Sequence, residues 1–306
     1  SDASTKILHI WDQAGVACTL AKYQTSVGNE AKVIVFGPVD KYGIYDFYKK
    51  YCMKIEGLDY VKTCLSEAQD ADVIHVHSRS DIFLESYRKF RHSKKMILHY
   101  HGTDVRGFKG DDLKHMDYAK KVLAKSRRSI IRIKNRARLI TMGYLSSANE
   151  AAQKISRITL VSTPDLLRLV KDGIYLPTPV DTEHFREDPK VKKENKALTF
   201  NTEVTDTDQA LQYLVSNNIN LDLEVYDRTK KPIMFRDMPS MLNNYQLYVD
   251  VRYVDNLVLE NLSKTAIESL ACGLQVLNYK LKLVSTVPEL HLPQNVISKI
   301  SKLYLL

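Results

Sequence analysis

LENLSKTAIESLACGLQVLNY, Leu259 to Tyr279, is the stretch whose reading decides the fold. Ser263 or Thr265 starts a short helix, because a hydroxyl there accepts an N–H left over in the first turn, and Gly273 ends it. Ile267, Leu270 and Ala271 supply the buried face of that helix. An apolar run follows at once from Leu274 to Tyr279, so the helix feeds directly into a strand. That step is the repeating unit of an α/β sheet.

The same texture extends in both directions. Upstream, candidate strands Ile7–Trp11, Lys32–Phe36, Asp72–His77, Met96–His101, Arg157–Ser162 and Ile174–Leu176 alternate with helical patterns, as a parallel sheet with crossover helices requires. Downstream, strands are expected at Ala197–Asn201, Leu221–Tyr226, Ile233–Phe235, Leu247–Val251 and Leu274–Tyr279. Between the two sets, LPTPVDTEHFREDPKVKKENK is rich in Pro, Thr and charge and lacks apolar periodicity. It reads as a linker. The expected organisation is an α/β domain over residues 1–176, a linker over 177–192, a compact second α/β domain over 193–290 and a docking helix over 291–306. In that last helix Val296, Ile300 and Leu303 share one face.

Composition agrees with two folded domains: 306 residues, 44% hydrophobic and 26% charged, are far from the signature of disorder. No run reaches the roughly 18–20 consecutive apolar residues of a spanning helix, and the N-terminal residues lack a signal-peptide pattern. The expected location is therefore cytoplasmic, or peripheral on the cytoplasmic membrane face. Cys18, Cys52, Cys64 and Cys272 lie far apart without metal-ligand spacing, which suits reduced thiols.

The net charge of +9 favours a polyanionic partner. It is concentrated: between Lys120 and Arg138 the chain carries nine Lys/Arg, and no acid occurs from Ala119 to Asn149. Lys120, Lys121, Lys125, Arg127, Arg128 and Arg132 are candidate contacts to an anion or an anionic membrane surface. The competing reading is a solvated charged helix with Val122, Leu123, Ile130, Ile131 and Ile133 buried. Nucleic acid is disfavoured, since no aromatic-interleaved platform or zinc pattern accompanies the charge.

Within the opening stretch, Glu260 precedes Glu268 with seven residues between. A helix N-terminus offers free N–H groups and partial positive charge to a diphosphate, and flanking carboxylates would grip sugar and ribose hydroxyls. The competing reading is a Thr265/Glu268 capping box with Glu260 a solvated loop charge.

The E-x7-E spacing, followed by ACG and an apolar strand, resembles the C-domain signature of retaining GT-B glycosyltransferases of the family-4 type. HYHGTDVRG (His99–Gly107), ITLVSTPDLL (Ile158–Leu167) and YLPTPVDTEHF (Tyr175–Phe185) stand in that family's order. The resemblance implies two Rossmann-like domains facing an interdomain cleft, with acceptor mainly on the first and a nucleotide diphosphate sugar mainly on the second. It implies no metal and no covalently held cofactor.

Carried onto this chain, the resemblance makes His101 and Glu260 the catalytic residues, Glu260 holding hydroxyls of the transferred sugar and Glu268 those of the ribose. Gly15 belongs to the loop approached by the donor phosphates. A histidine at a strand end has an equal structural reading. The chain also departs from the pattern: TFNTEVTDTDQAL, Thr199 to Leu211, carries acids where the family supplies an Arg and a Lys. Lys264, next to Ser263 at the helix start, and Arg228 are the candidate substitutes. The implied function is hexosyl transfer, with retention, to a hydroxyl or lipid-phosphate-linked acceptor. A noncatalytic GT-B scaffold and a sugar-nucleotide epimerase remain as alternatives.

Overall fold

A computed structural model describes residues 4–106, 146–202, 205–254 and 256–306. The basic stretch, with Lys120, Lys121, Lys125, Arg127, Arg128 and Arg132, lies outside them. Ser1–Val39, Tyr48–Leu176 and Ile297–Leu306 form one compact unit, and Asp40–Phe47 with Pro177–Val296 form another.

In the first unit, β1 (Lys6–Ile10), β2 (Glu30–Phe36), β3 (Cys52–Ile55), β4 (Val73–His77), β5 (Lys95–Tyr100), β6 (Thr159–Val161) and β7 (Ile174–Tyr175) make one sheet in the order β3-β2-β1-β4-β5-β6-β7. Each neighbouring pair is parallel. The chain starts mid-sheet, winds to one edge and then to the other, so the order reverses between β1 and β4. This is the doubly wound arrangement, whose ligand crevice lies beyond the strand ends at that reversal.

The two faces of this sheet are covered differently. Leu8, Ile10, Ile74, Val76, Leu98 and Tyr100 pack with Tyr60, Cys64, Ile82, Phe83 and Phe90 from the helices Tyr60–Glu67 and Ser80–Phe90. Because side chains alternate along a strand, His9, His75, His77 and His99 all fall on the opposite face. There the first helix, Val16–Ser26, and the C-terminal helix, Pro293–Tyr304, bring Gln24 and Tyr304 onto them.

The second unit has a smaller sheet of β8 (Glu194–Asn201), β9 (Leu223–Asp227), β10 (Tyr245–Val249), β13 (Gln275–Leu277) and β14 (Leu283–Val284), in the order β14-β13-β10-β8-β9. All pairs are parallel except β13 with β14. Its order reverses between β8 and β10. A hairpin of β11 (Tyr253–Val254) and β12 (Leu257–Val258) follows β10.

The expected strand at Ile233–Phe235 does not form. Pro232 removes an N–H a ladder would need, and Pro239 sits in the first turn of a helix, Met238–Leu242, that follows one 3-10 turn at Phe235–Asp237. The apolar run instead buries Phe235 among Phe47, His184 and Phe185. Residues 177–193 carry no helix or strand, yet Val180, Asp181 and Phe185 are buried, and the Val180 N–H donates to the His291 carbonyl at 3.1 Å.

Three helices end by one device, a left-handed residue followed by a 6→1 bond. After Val16–Ser26 this is Gly28 (φ 97°), with the Asn29 N–H on the Gln24 carbonyl at 3.1 Å. After Thr207–Ser216 it is Asn218 (φ 58°), with Ile219 on Leu214 at 3.0 Å. After Lys264–Ala271 it is Gly273 (φ 82°), with Leu274 on Ser269 at 3.0 Å. A Cβ at Gly273 would lie 2.6 Å from the Glu187 carboxyl carbon, whereas one at Gly28 meets nothing within 4 Å. Gly28→Ala and Gly273→Ala should each cost the left-handed backbone penalty, about 1 kcal/mol read from urea midpoints, because the exposed Glu187 side chain can swing its carboxyl aside.

Candidate active site

The site residues fall into two groups, one at the strand ends of each unit. In the first unit β1 runs into Trp11 (φ 69°), Asp12, Gln13, Ala14 (φ 53°) and Gly15 (φ 81°) before the first helix starts. The buried Asp12 carboxylate accepts the N–H groups of Gly15 at 2.7 Å, Ala17 at 2.9 Å and Cys18 at 3.3 Å. The amide end that Gly15 was expected to open to donor phosphates thus already holds an anion of the chain's own.

Beyond β4, Arg79 is 1% exposed and makes a bidentate pair with Asp81 at 2.8 and 2.6 Å. Its Cζ stands 5.1 Å from the Trp11 ring centre and 5.9 Å from that of Tyr60. Nη1 has no hydrogen-bonding partner among the described residues, so these aromatic faces supply the remaining stabilisation of the cation.

After β5, Asp104 organises the turn, accepting the N–H groups of His101 at 2.9 Å and Gly102 at 2.8 Å and the Ser78 hydroxyl at 2.7 Å. Arg106 reaches Asp165 through two bonds of 2.8 and 3.0 Å, tying HYHGTDVRG to ITLVSTPDLL. Burial pushes the Asp165 carboxyl up, but the Arg106 guanidinium and hydrogen bonds from Thr163 and the backbone together outweigh it and hold the group below its ordinary value.

His101 belongs to a closed hydrogen-bonded ring. Gln24 Oε1 meets His9 Nε2 at 2.7 Å, and His9 Nδ1 meets His77 Nε2 at 2.8 Å. His77 Nδ1 meets His101 Nε2 at 2.8 Å, and His101 Nδ1 meets the Ser162 hydroxyl at 2.6 Å. Ser162 meets His99 Nε2 at 3.0 Å, and His99 Nδ1 meets His75 Nε2 at 2.9 Å. His75 Nδ1 meets the Tyr304 hydroxyl at 2.8 Å, which accepts from Gln24 Nε2 at 3.1 Å and closes the circuit.

The protons balance. There are eight bonds, and eight hydrogens are available to them when all five imidazoles are neutral: one per ring, two from the hydroxyls and one from the Gln24 amide. Gln24 sets the sense, because its oxygen can only accept and its nitrogen only donate; each histidine then carries its hydrogen on Nε2. The opposite amide orientation reverses every bond and leaves the count unchanged.

His9, His75 and His77, and likewise His77, His99 and His101, offer three nitrogens within 4.8 Å of one another. A tetrahedral metal with bonds of about 2.0–2.1 Å spaces its nitrogens about 3.3 Å apart. Here the paired nitrogens sit at 2.8–2.9 Å and all ten are engaged, which is the geometry of shared hydrogens.

In the second unit, the fully buried Asp250 follows β10 and accepts the Ser263 N–H at 2.9 Å. Arg252 Nε stands 3.2 Å from Asp250 Oδ1 as an off-axis ion pair, while its Nη2 donates to the Asn261 carbonyl at 2.7 Å. Burial raises the Asp250 carboxyl's affinity for its proton, opposed by Arg252 and Ser263. Burial likewise raises the Tyr248 phenol, which feels Asp250, Arg252 and Arg228 together.

Ser263 is the N-cap, its hydroxyl accepting the Ala266 N–H at 2.9 Å, so the helix begins at Lys264 and no Thr265/Glu268 capping box forms. Glu268 is buried one turn in and pairs with Lys264 Nζ at 3.4 Å, and that Nζ lies 5.4 Å from the Phe235 ring centre. Glu260 is exposed and has no ion-pair or hydrogen-bonding partner among the described residues. Arg228 stacks over Tyr42 at 4.6 Å and Phe200 at 5.2 Å.

The structure therefore joins Ser263, Lys264 and Glu268 on one helix, leaves Glu260 in the preceding loop, places Arg228 after β9, and puts Gly15 and His101 in the first unit. Sequence reasoning overlooked Asp250 and Arg252, whose signal is a D-x-R after an apolar run. It also overlooked His9, His75, His77 and His99; H-x-H at the ends of two successive strands is the signal for the last three, and His9 stands alone on β1.

No family model matches this chain, and no curated protein does either. Among solved structures, the calicheamicin glycosyltransferase CalG4 is 8% identical over 99% of this chain and 90% of its own, with a TM-score of 0.39. LpCGTa, solved in complex with UDP, is 9% identical over 97% and 83%, with a TM-score of 0.42. Likeness at this level carries no functional argument. No helix among the described residues is long and apolar enough to cross a membrane.

Burial, first, lowers the proton affinity of all five ring imidazoles, to a pKa of about 4 for His9 and His101. The folded chain then binds fewer protons than the unfolded one, whose histidines titrate near 6.5, so this contribution is complete above pH 6.5 and lost as pH falls towards 4. The thermal midpoint should be level from pH 7 to 8 and drop steeply below 6.5, as differential scanning fluorimetry would record.

Proposed function

We propose that the chain is a retaining GT-B glycosyltransferase of the family-4 type, moving a hexosyl unit from a nucleotide diphosphate sugar to a hydroxyl or lipid-phosphate-linked acceptor. One observation carries this reading. The E-x7-E segment folds as a Ser263-capped helix just beyond β10, beside the order reversal of a doubly wound sheet, where such folds take nucleotides. Ser263 and Ala266 have intramolecular acceptors for their N–H groups, whereas those of Lys264 and Thr265 have none among the described residues. Two amides and one ammonium are thus placed for an oxyanion.

Breaking a sugar–phosphate bond develops negative charge on the leaving diphosphate and positive charge at the anomeric carbon. In this reading Lys264 exchanges Glu268 for the diphosphate, which frees Glu268 for ribose hydroxyls. The unpaired Glu260 grips the transferred sugar. His101, with both nitrogens engaged, holds its strand end in the first unit.

The noncatalytic scaffold also has an observation in its favour: Asp12 fills one helix end and Glu268 pairs the best-placed lysine, so both anion positions are internally neutralised. A thermal-shift series with UDP, GDP and their sugars separates the readings. One nucleotide at 100-fold its Kd should stabilise the protein by about 2.7 kcal/mol, a rise of several degrees, and Lys264→Ala should remove most of it. Glu260→Gln should leave nucleotide binding intact and slow sugar transfer about 10- to 100-fold. No shift with any nucleotide selects the scaffold; donor isomerised without acceptor selects the epimerase.

A further inference from the structure

We propose that the histidine ring is an acid-opened latch, which holds the end of the C-terminal helix on the first sheet and lets go at Tyr304. The inference rests on the ring's proton count and connectivity and is independent of the glycosyl-transfer reading.

Six of the eight members are fixed by the sheet: His9 on β1, His75 and His77 on β4, His99 and His101 at the end of β5, and Ser162 just after β6. The other two arrive from helices, Gln24 and Tyr304. Tyr304 is the contribution of the C-terminal helix, whose Ile297, Ile300 and Leu303 are buried and whose Lys299 donates to the Tyr175 carbonyl.

Every member gives one hydrogen and takes one, so the closed ring is full. A proton added to any imidazole converts an accepting nitrogen into a donor, and two hydrogens then face each other across one bond. The imidazoles and the amide cannot turn a hydrogen aside; the two hydroxyls can. Ser162, with its hydrogen turned aside, accepts from both of its histidines and stays at its strand end. At Tyr304, in the last turn of its helix, the oxygen likewise accepts from the imidazolium, but its own hydrogen, turned away from His75, finds no other acceptor among the described residues, and an unsatisfied buried donor is costly.

The groups facing the ring offer no relief. They are the five histidines and Tyr304, the uncharged Gln24 and Ser162, and Asp104, the carboxylate that acts on His101. Asp104 spends its oxygens on the Ser78 hydroxyl and on the N–H groups of His101 and Gly102. Among the described residues no carboxylate accepts from any of the five rings, so an imidazolium there has no hydrogen-bonded counter-charge.

Opening lets histidines titrate near their ordinary 6.5. Lowering pH from 7.5 to 5.0 should then raise the opening constant about 30-fold for each histidine released. Hydrogen exchange of the full chain, corrected for intrinsic chemical rates, reads this directly. At pH 7.5 residues 297–304 should be protected; at pH 5.0 their protection should fall by about 30-fold or more, ahead of the β4 amides at 73–77.

Tyr304→Phe keeps the packing but leaves an open chain that accepts a proton without conflict. Its segment should exchange faster already at pH 7.5 and change only a few-fold by pH 5.0. Lys299→Ala weakens the same docking without touching the ring and should keep the full pH step. The proposal is overturned by unchanged wild-type protection at pH 5.0, or by Tyr304→Phe showing the wild-type step. It is equally overturned if stoichiometric Zn²⁺ raises protection at pH 7.5, which would give those nitrogens to a metal.

Discussion

Burying five imidazoles between a sheet and two helices is tolerable only if ten ring nitrogens find partners there, and the first unit is organised around that requirement. Each neutral imidazole is one donor and one acceptor held at a fixed angle, so a set of them can close on itself only through groups of the same kind. Gln24, Ser162 and Tyr304 are such groups. The strand register contributes as well, setting His9 beside His75 and His77 beside His99. The first helix and the C-terminal helix are thereby bound to the sheet through oriented polar contacts as well as apolar burial.

A second theme is the placing of carboxylates where backbone amides converge. Asp12 serves the first helix, Asp104 the turn after β5, and Asp250 the segment entering the helix Lys264–Ala271. Each stands just beyond a parallel strand, where a chain has turned and its N–H groups have no ladder to join. Such residues build the rim of a doubly wound sheet from within. They also decide which amide ends remain open to an outside anion: the first helix is closed in this way, and the helix beginning at Lys264 retains two N–H groups unclaimed among the described residues.

Much of the fold was legible because period-2 and helical patterns survive without knowledge of partners. All six expected first-unit strands align within about two residues of their observed ends, within the usual fraying of boundaries. The strands that escaped notice, β3, β11, β12 and β14, are two to four residues long, too short for alternation to register. Ile233–Phe235 misled because burial in an aromatic cluster and burial in a sheet leave the same apolar trace. At the site, the helix and its cap were readable from Ser263 and Gly273, since caps are local chemistry. The pairing of Lys264 with Glu268 spans four positions on that helix, whereas the closure of the histidine ring depends on residues up to 280 positions apart. A lone histidine weighed by itself carries no trace of such partners.

The chain contains one tryptophan, and it lies where β1 meets the reversal of strand order. Trp11 is 4% exposed, stacked at 6.2 Å on Phe36, edge-on to Tyr60 and faced by the Arg79 guanidinium. An indole faced by a buried cation is a built-in spectroscopic gauge. Any event that disturbs the Arg79–Asp81 pair at that rim will change its colour and intensity, with no dye or label attached.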